Sequence, residues 1–387
     1  MRRLIAELPG SKIREVANAG LGRADVLAFW FGESDEPTPA FIRDAAMKSI
    51  AQGETFYSHN LGLPELREAL AVYTSSFHRP VDANRIAVTS SGVSALMLAT
   101  QALVGAGDEV VAVVPVWPNI TAQPTILGAH VKRVSLQVQG GAWRLDMQAL
   151  LDAITERTTM LLVNAPNNPT GWTLSRDEQQ TILAHCRCTG TWIVADEVYE
   201  RVFFGNSVND GATCAPSFLD IADADDRLVV VHSFSKSFLM TGWRLGWMVA
   251  PVKIVEALGK LVEFNTSCAP VFIQRAGLAA LAGAADFVPG LTQRLRVCRD
   301  TLLPQLAALP GIEVAVPDGG LYAFFRVAGQ GDSLNFAKRL VAEAGLGLAP
   351  GAAFGPEAEG WLRWCFASHD PARLTLGVQR LAAFLKL

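Results

Sequence analysis

The 387-residue chain is half hydrophobic, with a formal net charge of -4 and a pI near 5.9. That length predicts a large buried core shared between two or three compact units. The weak acidity excludes both the basic footprint of a nucleic-acid binder and the polybasic patch of a membrane-surface protein, leaving a small molecule as the expected partner.

Six cysteines stand at 186, 188, 214, 268, 298 and 365. They lack the paired spacing of a zinc site or a disulfide framework, so a reduced, cytoplasmic protein is expected. His185-Cys186-Arg187-Cys188 has no matching second pair and reads as helix packing; no metal ligand is assigned. At the start, MRRLIAEL is followed too soon by Lys12 and Arg14, and broken by Glu7, to read as a targeting signal.

In chain order, Thr38-Pro39 is expected to cap and open a helix through Gln52. Ile86 to Gly107 and Val110 to Val131 carry no charge over a span of membrane length. Thr89-Ser90-Ser91-Gly92 breaks the first, and Pro115, Pro118 and Pro124 break the second, so both read as strand-to-loop transitions in a buried sheet. Strands are predicted at Ile86 to Val88, Val110 to Val113, Met160 to Val163, Trp192 to Ala195, Leu228 to Val231 and Leu245 to Val249. Ser175 and Glu178 form a capping box for a helix reaching Cys186.

This alternation from residue 40 to 275 predicts a mostly parallel α/β sheet with helices on both faces, the large domain. Predicted helices at 271 to 283 and 285 to 307, then strands at 312 to 316 and 321 to 327, announce a smaller α+β domain. It is assigned residues 276–387 together with the N-terminal 1–39.

Ligands of open α/β sheets gather beyond the carboxyl ends of the strands, and the residues placed there form a set. Ser91-Gly92-Val93 opens a helix whose free N-H groups suit a phosphate, although a plain turn reads the same way. Asn164 to Gly171, NAPNNPTG, is either a rigid turn or a loop presenting the Asn168 amide to a phenolate-like oxygen. Asp196 and Tyr199 follow the strand TWIVA; Ser233 and Lys236 follow RLVVV; Arg244 lies between Gly242 and Gly246. A phosphate turn, an acid, a phenol, an amide, a lysine and an arginine are together what pyridoxal phosphate requires of a protein.

Through NNPTG, DEVY, SFSK and GWRLGW, in that order, the chain resembles the class I/II aminotransferases of the fold type I pyridoxal-phosphate enzymes. FWFGESDEPTP, YSHNLGLPELREAL and LRWCFA extend the resemblance to nearly the whole chain. It implies a seven-stranded large-domain sheet. It implies Lys236 as the Schiff-base lysine, Asp196 beneath the pyridine nitrogen, Tyr199 and Asn168 as donors to O3′, and Trp117 as the stacking aromatic. Ser91, Gly92, Val93, Ser233 and Arg244 would hold the phosphate. Tyr57 would reach that phosphate from the second subunit of a homodimer. Arg363 would clamp the substrate α-carboxylate, with Gly32 leaving room beside it.

The chain departs from the family pattern at Ser34, where proline is usual, and at Trp364-Cys365, which replace a smaller pair. Val93 stands where some aspartate-specific relatives carry lysine, and Trp30 and Phe31 add apolar bulk near Gly32. Neutral or aromatic amino donors are therefore expected, unless an arginine such as Arg275 supplies a distal charge. The expected activity is ping-pong amino transfer between an L-α-amino acid and a 2-oxo acid. The alternatives are a β-lyase or decarboxylase on the same scaffold, or a non-catalytic cofactor sensor.

Overall fold

A computed structural model describes residues 1–205 and 214–386. Seven strands build the main sheet: β1 (Ile86–Thr89), β2 (Glu109–Val114), β3 (His130–Ser135), β4 (Thr158–Asn164), β5 (Trp192–Asp196), β6 (Leu228–Ser233) and β7 (Gly246–Val249). Their order is β1-β7-β6-β5-β4-β2-β3, and β7 alone among them runs antiparallel to its neighbours. β1, β6 and β7 are buried along their whole length, as sheets covered on both faces require. β3 is the strand not singled out from sequence. It is an edge strand, HVKRVS, with only Val134 buried, so it lacks the apolar run that marks its neighbours.

The layers on the two faces of this sheet are separate apolar cores. Helix α1 (Gly92–Leu103) belongs to one, through Ala95, Leu96, Leu98 and Ala99. Helix α2 (Arg176–Thr189) belongs to the other, and the capping box of Ser175 with Glu178 is formed, a device worth about 1 kcal/mol. The helix runs three residues past Cys186 and ends on Gly190 in the left-handed conformation.

The expected cap at Thr38 is not formed. The helix Ala40–Ala51 starts on Pro39 without a side-chain cap. Thr38 Oγ1 instead donates to the Leu239 carbonyl at 2.5 Å and accepts from Trp243 Nε1 at 2.8 Å, tying the N-terminal segment to the loop beyond Lys236.

A second sheet of four antiparallel strands, β8 (Ile312–Val314), β9 (Tyr322–Val327), β10 (Ala349–Pro350) and β11 (Trp361–Cys365), has the order β8-β9-β11-β10. The N-terminal segment lies with these later elements. Leu27–Ala28 pairs in parallel with Leu346–Gly347, and the helix Lys12–Gly20 packs on the helix Ser333–Ala344. Among the described residues no single helix is long and apolar enough to cross a membrane; Val271–Ala282 and Ala284–Ala307 pass such a test only as a pair, bent by 79°.

Candidate active site

Because β1, β4, β5 and β6 are parallel in direction, the residues after them share one edge of the sheet. Gly246, the first residue of antiparallel β7, pairs with Thr89 and Ser233 and so starts at that same edge. A cavity of about 240 Å3 opens there. Asn168, Asp196, Tyr199, Lys236, Arg244 and Arg363 all reach its wall, as do Gly32, Gly92, Val93, Trp117 and Ser233. Residues spread over more than three hundred positions thus meet in one place.

The turn at Ser91 is shaped for close approach. Ser91 caps α1, its Oγ accepting from Ser94 N at 3.1 Å, and its φ of 144° is one that side-chain-bearing residues rarely adopt. A Cβ at Gly246 would come within 2.6 Å of Gly92 N and 2.7 Å of Ser91 C, so the glycine after Arg244-Leu245 is what lets β7 lie against this turn. The first N-H groups of α1 have no acceptor within the helix and carry its positive dipole end.

Lys236 is partly buried, and its Nζ donates to the Gly32 carbonyl at 2.6 Å. Burial, reinforced by the charges of Arg363 and Arg244 against Cys365 and Glu33, lowers its pKa to about 8. Asp196 is 3 % exposed, and burial raises its pKa to about 7 against the opposing Val198 amide and Lys236 charge. The hydrogen bond that its carboxylate receives among the described residues is that one, from Val198 N at 3.4 Å. Burial also raises the Tyr199 phenol, and its neighbour Tyr322 adds to the effect. Arg244, exposed as a whole and in the left-handed conformation, is lowered by desolvation and donates to the Thr241 carbonyl at 2.5 Å.

Arg363, on β11, is 2 % exposed and held on three sides. Nη1 donates to Asn168 Oδ1 at 2.8 Å, Nη2 donates to the Trp30 carbonyl at 2.5 Å, and the guanidinium lies between the rings of Tyr322 and Phe354 at 4.4 and 4.9 Å. Its Nε is buried without a partner among the described residues. The bond to Arg363 uses Asn168 Oδ1 and leaves the amide nitrogen as the donor on the cavity side.

Three details, at Gly32, Trp30 and Arg275, differ from the sequence reading. Gly32 makes room for Tyr322 rather than for Arg363 directly, since a Cβ there would collide with the Tyr322 hydroxyl. Trp30 is buried against Gly20 and Gly347 and does not line the cavity, whereas Phe31 does. Arg275 is paired with Glu54 at 2.9 Å and Glu65 at 3.4 Å and also lies outside the lining. Tyr57 is 87 % exposed and outside the cavity of its own chain.

Other lining residues escaped the sequence. Tyr322 hydrogen-bonds Tyr199 hydroxyl to hydroxyl at 2.6 Å, and Ser235 N donates to Ser233 Oγ at 3.1 Å. Ile13 and Leu96 form an apolar wall with Phe31 and Val93. Ser235 stood inside the SFSK segment; Tyr322 and Ile13 carry no local signal, because they come from a core strand and an amphipathic helix that look ordinary alone.

The profile of the family described as aminotransferase class I and II matches residues 24–381. An aspartate aminotransferase of Pyrococcus horikoshii is 32 % identical over 362 residues, covering 92 % of this chain and 90 % of its own. Among solved structures, a single mutant of the Thermus thermophilus aspartate aminotransferase superposes with a TM-score of 0.90 at 29 % identity, covering 99 % of both chains. An aromatic aminotransferase from Pyrococcus horikoshii gives 0.87 at 28 %, covering 96 % of this chain and 98 % of its own.

Proposed function

The chain belongs to the class I and II aminotransferase family and is a transaminase, and from that premise we propose that it moves the amino group of an L-α-amino acid to a 2-oxo acid using pyridoxal 5′-phosphate held in the 240 Å3 cavity. The observation that carries the cofactor assignment is Asp196: a buried acid facing that cavity with only a backbone amide for a partner among the described residues, and so suited to a cationic ring nitrogen. When bound, pyridoxal phosphate supplies the electron sink for negative charge at the substrate Cα and carries the amino group between the two half-reactions.

The chain's own groups divide the remaining work. Asp196 holds a proton at the pyridine nitrogen. Lys236 is the covalent anchor, and its Nζ, lowered to about 8, is basic enough and unprotonated often enough at neutral pH to move a proton at Cα. Tyr199 Oη and the Asn168 amide donate to O3′, and Trp117 covers a face of the ring. The N-H groups of the Ser91-Gly92-Val93 turn, with Ser233 and Arg244, take the phosphate. Arg363 meets the α-carboxylate with the guanidinium N–H groups that Asn168 and the Trp30 carbonyl leave free, with its plane fixed by Tyr322 and Phe354.

The wall of Ile13, Phe31, Val93 and Leu96 favours neutral or aromatic side chains on the donor, and Arg275, engaged by Glu54 and Glu65, supports no distal-carboxylate role. The protein is a homodimer in this reading, with Tyr57 entering the partner's cavity; Phe56, Tyr57 and Phe264, 82 %, 87 % and 90 % exposed, offer an apolar surface for a second copy.

Incubating the holoenzyme with a panel of amino acids and 2-oxo acids tests the reading. Oxo acid formed with stoichiometric pyridoxamine phosphate, most rapidly from apolar donors, is expected. Ammonia with pyruvate identifies a lyase, carbon dioxide a decarboxylase, and a chromophore unresponsive to the whole panel a sensor.

A further inference from the structure

A second set of buried titratable groups lies outside the cavity. His78 follows the helix Pro64–Ser75, Glu200 follows Tyr199, Cys214 follows the undescribed residues, and Asp220 closes the short turn Phe218–Asp220. His78 Nε2 stands 3.2 Å from Glu200 Oε2 and 3.9 Å from Cys214 Sγ, and one ligand atom from each of the three lies within 4.8 Å of the others. On the far side of the ring, Nδ1 stands 2.8 Å from Asp220 Oδ1. The side chains of His78, Glu200 and Asp220 are 2 %, 9 % and 12 % exposed.

We propose that His78 Nε2, a Glu200 carboxylate oxygen and Cys214 Sγ form a site for one divalent, zinc-type cation, with Asp220 orienting His78 through Nδ1. A tetrahedral ion at about 2.0 Å from N and O and about 2.3 Å from S sets ligand edges of roughly 3.3 Å for N to O and roughly 3.5 Å for N to S. The observed 3.2 Å between N and O already matches such an edge, and the 3.9 Å between N and S needs a small contraction. An imidazole nitrogen, a carboxylate oxygen and a thiolate suit zinc better than calcium or magnesium, which take oxygen alone. A carboxylate behind the ring is the arrangement that fixes the tautomer of a metal-bound histidine.

Binding one M2+ forms bonds to Nε2, Oε2 and Sγ, and the thiol proton of Cys214 and any proton on Nε2 leave to solvent. A cavity of about 600 Å3 lined by His78, Cys214 and Asp220 gives the ion an entry and a water its fourth position. The neighbouring trio of Glu197, Glu200 and His232 is a poorer candidate, because both Glu197 oxygens are occupied, by Ser217 Oγ at 2.5 Å and Phe218 N at 3.2 Å.

The test uses the full-length holoenzyme stripped with a chelator and reloaded with Zn2+ or Co2+. One ion per chain is expected, with a thiolate-to-cobalt charge-transfer band. Cys214→Ser removes the band, Asp220→Asn weakens binding roughly 10–100-fold, and Cys188→Ser, at an exposed cysteine, changes neither. The proposal is overturned if the stripped enzyme shows no saturable binding, if the cobalt spectrum lacks a thiolate band, or if Cys214→Ser binds like the wild type. Asp220, His78 and Glu200 are then an ion network complete in itself. The band and the stoichiometry are read on the unmutated protein, so a variant that fails to fold does not leave the question open.

Discussion

The two walls of the main cavity are built on opposite principles. Along one, Asp196, Lys236 and Arg244 are groups whose charged forms are disfavoured by burial, and Tyr199 is a buried phenol held neutral. Along the other, Ile13, Phe31, Val93 and Leu96 offer only apolar surface. The polar wall stores unmet demand for a ligand of fixed chemistry, and the apolar wall excludes water without specifying much. A family that keeps one cofactor while changing amino donors needs this division, and substitutions on the polar wall are therefore expected to cost far more than those beside it.

Lys236→Ala is expected to have the largest effect. It removes both the covalent anchor and the base, and kcat/KM falls by more than about 10⁴-fold. Absorbance of the internal adduct disappears and the protein stays folded, because the lysine's partner, the Gly32 carbonyl, lies on an open cavity. An adduct still trapped by borohydride in the variant breaks the assignment.

Asp196→Asn follows, with a loss of roughly 10²–10³-fold, the scale of one misplaced electrostatic partner in a dry site. It also has a signature without substrate. Burial holds Asp196 at about 7 against an ordinary 3.8, so between those values the folded cofactor-free chain binds a proton that the unfolded chain does not. The contribution of Asp196 to stability is therefore greatest in acid and is lost as pH rises through about 7. Asparagine lacks this dependence. From about pH 5 to about pH 8 the melting temperature of the cofactor-free wild type should fall relative to the variant; parallel curves contradict the raised pKa.

Arg363→Lys comes third, at roughly 10–100-fold in kcat/KM, the worth of a charge-assisted bidentate contact that an ammonium cannot reproduce. The loss should appear mainly as weaker binding of both amino and oxo acids. A kcat defect with unchanged KM moves Arg363 from the carboxylate to the chemistry.

The same division explains what was legible in the sequence. The polar wall is written in short segments that directly follow or, at Arg244, directly precede strands, so Asp196, Tyr199, Ser233, Lys236 and Arg244 each sat at a predictable edge once the apolar runs were placed. The central strands were read for the same reason, being continuous runs of Val, Ile and Leu. β3 was not, because an edge strand has no need of such a run. Thr38 looked like a cap by type and position, but a tertiary partner, Trp243, outcompeted the local one. Ile13 and Tyr322 join the cavity only because the N-terminal helix and β9 fold over it, and no spacing within either segment encodes that approach.

The smallest predicted effect tests whether Tyr322 belongs with the polar wall. Its hydroxyl meets that of Tyr199 at 2.6 Å, and Gly32 is compatible with this placement because it has no Cβ. Tyr322→Phe deletes one oxygen, keeps the ring beneath Arg363, and leaves the Tyr199 phenol to interact with O3′ alone. A net hydrogen bond of about 1 kcal/mol predicts a loss of roughly 2–10-fold in kcat. A shift in the pH midpoint of the bound chromophore should accompany it, because the phenol then donates differently to O3′. A packing role for Tyr322 predicts a lower melting temperature with an unmoved midpoint. That result would return the residue to the apolar scaffold and confine the polar wall to the strand-end segments.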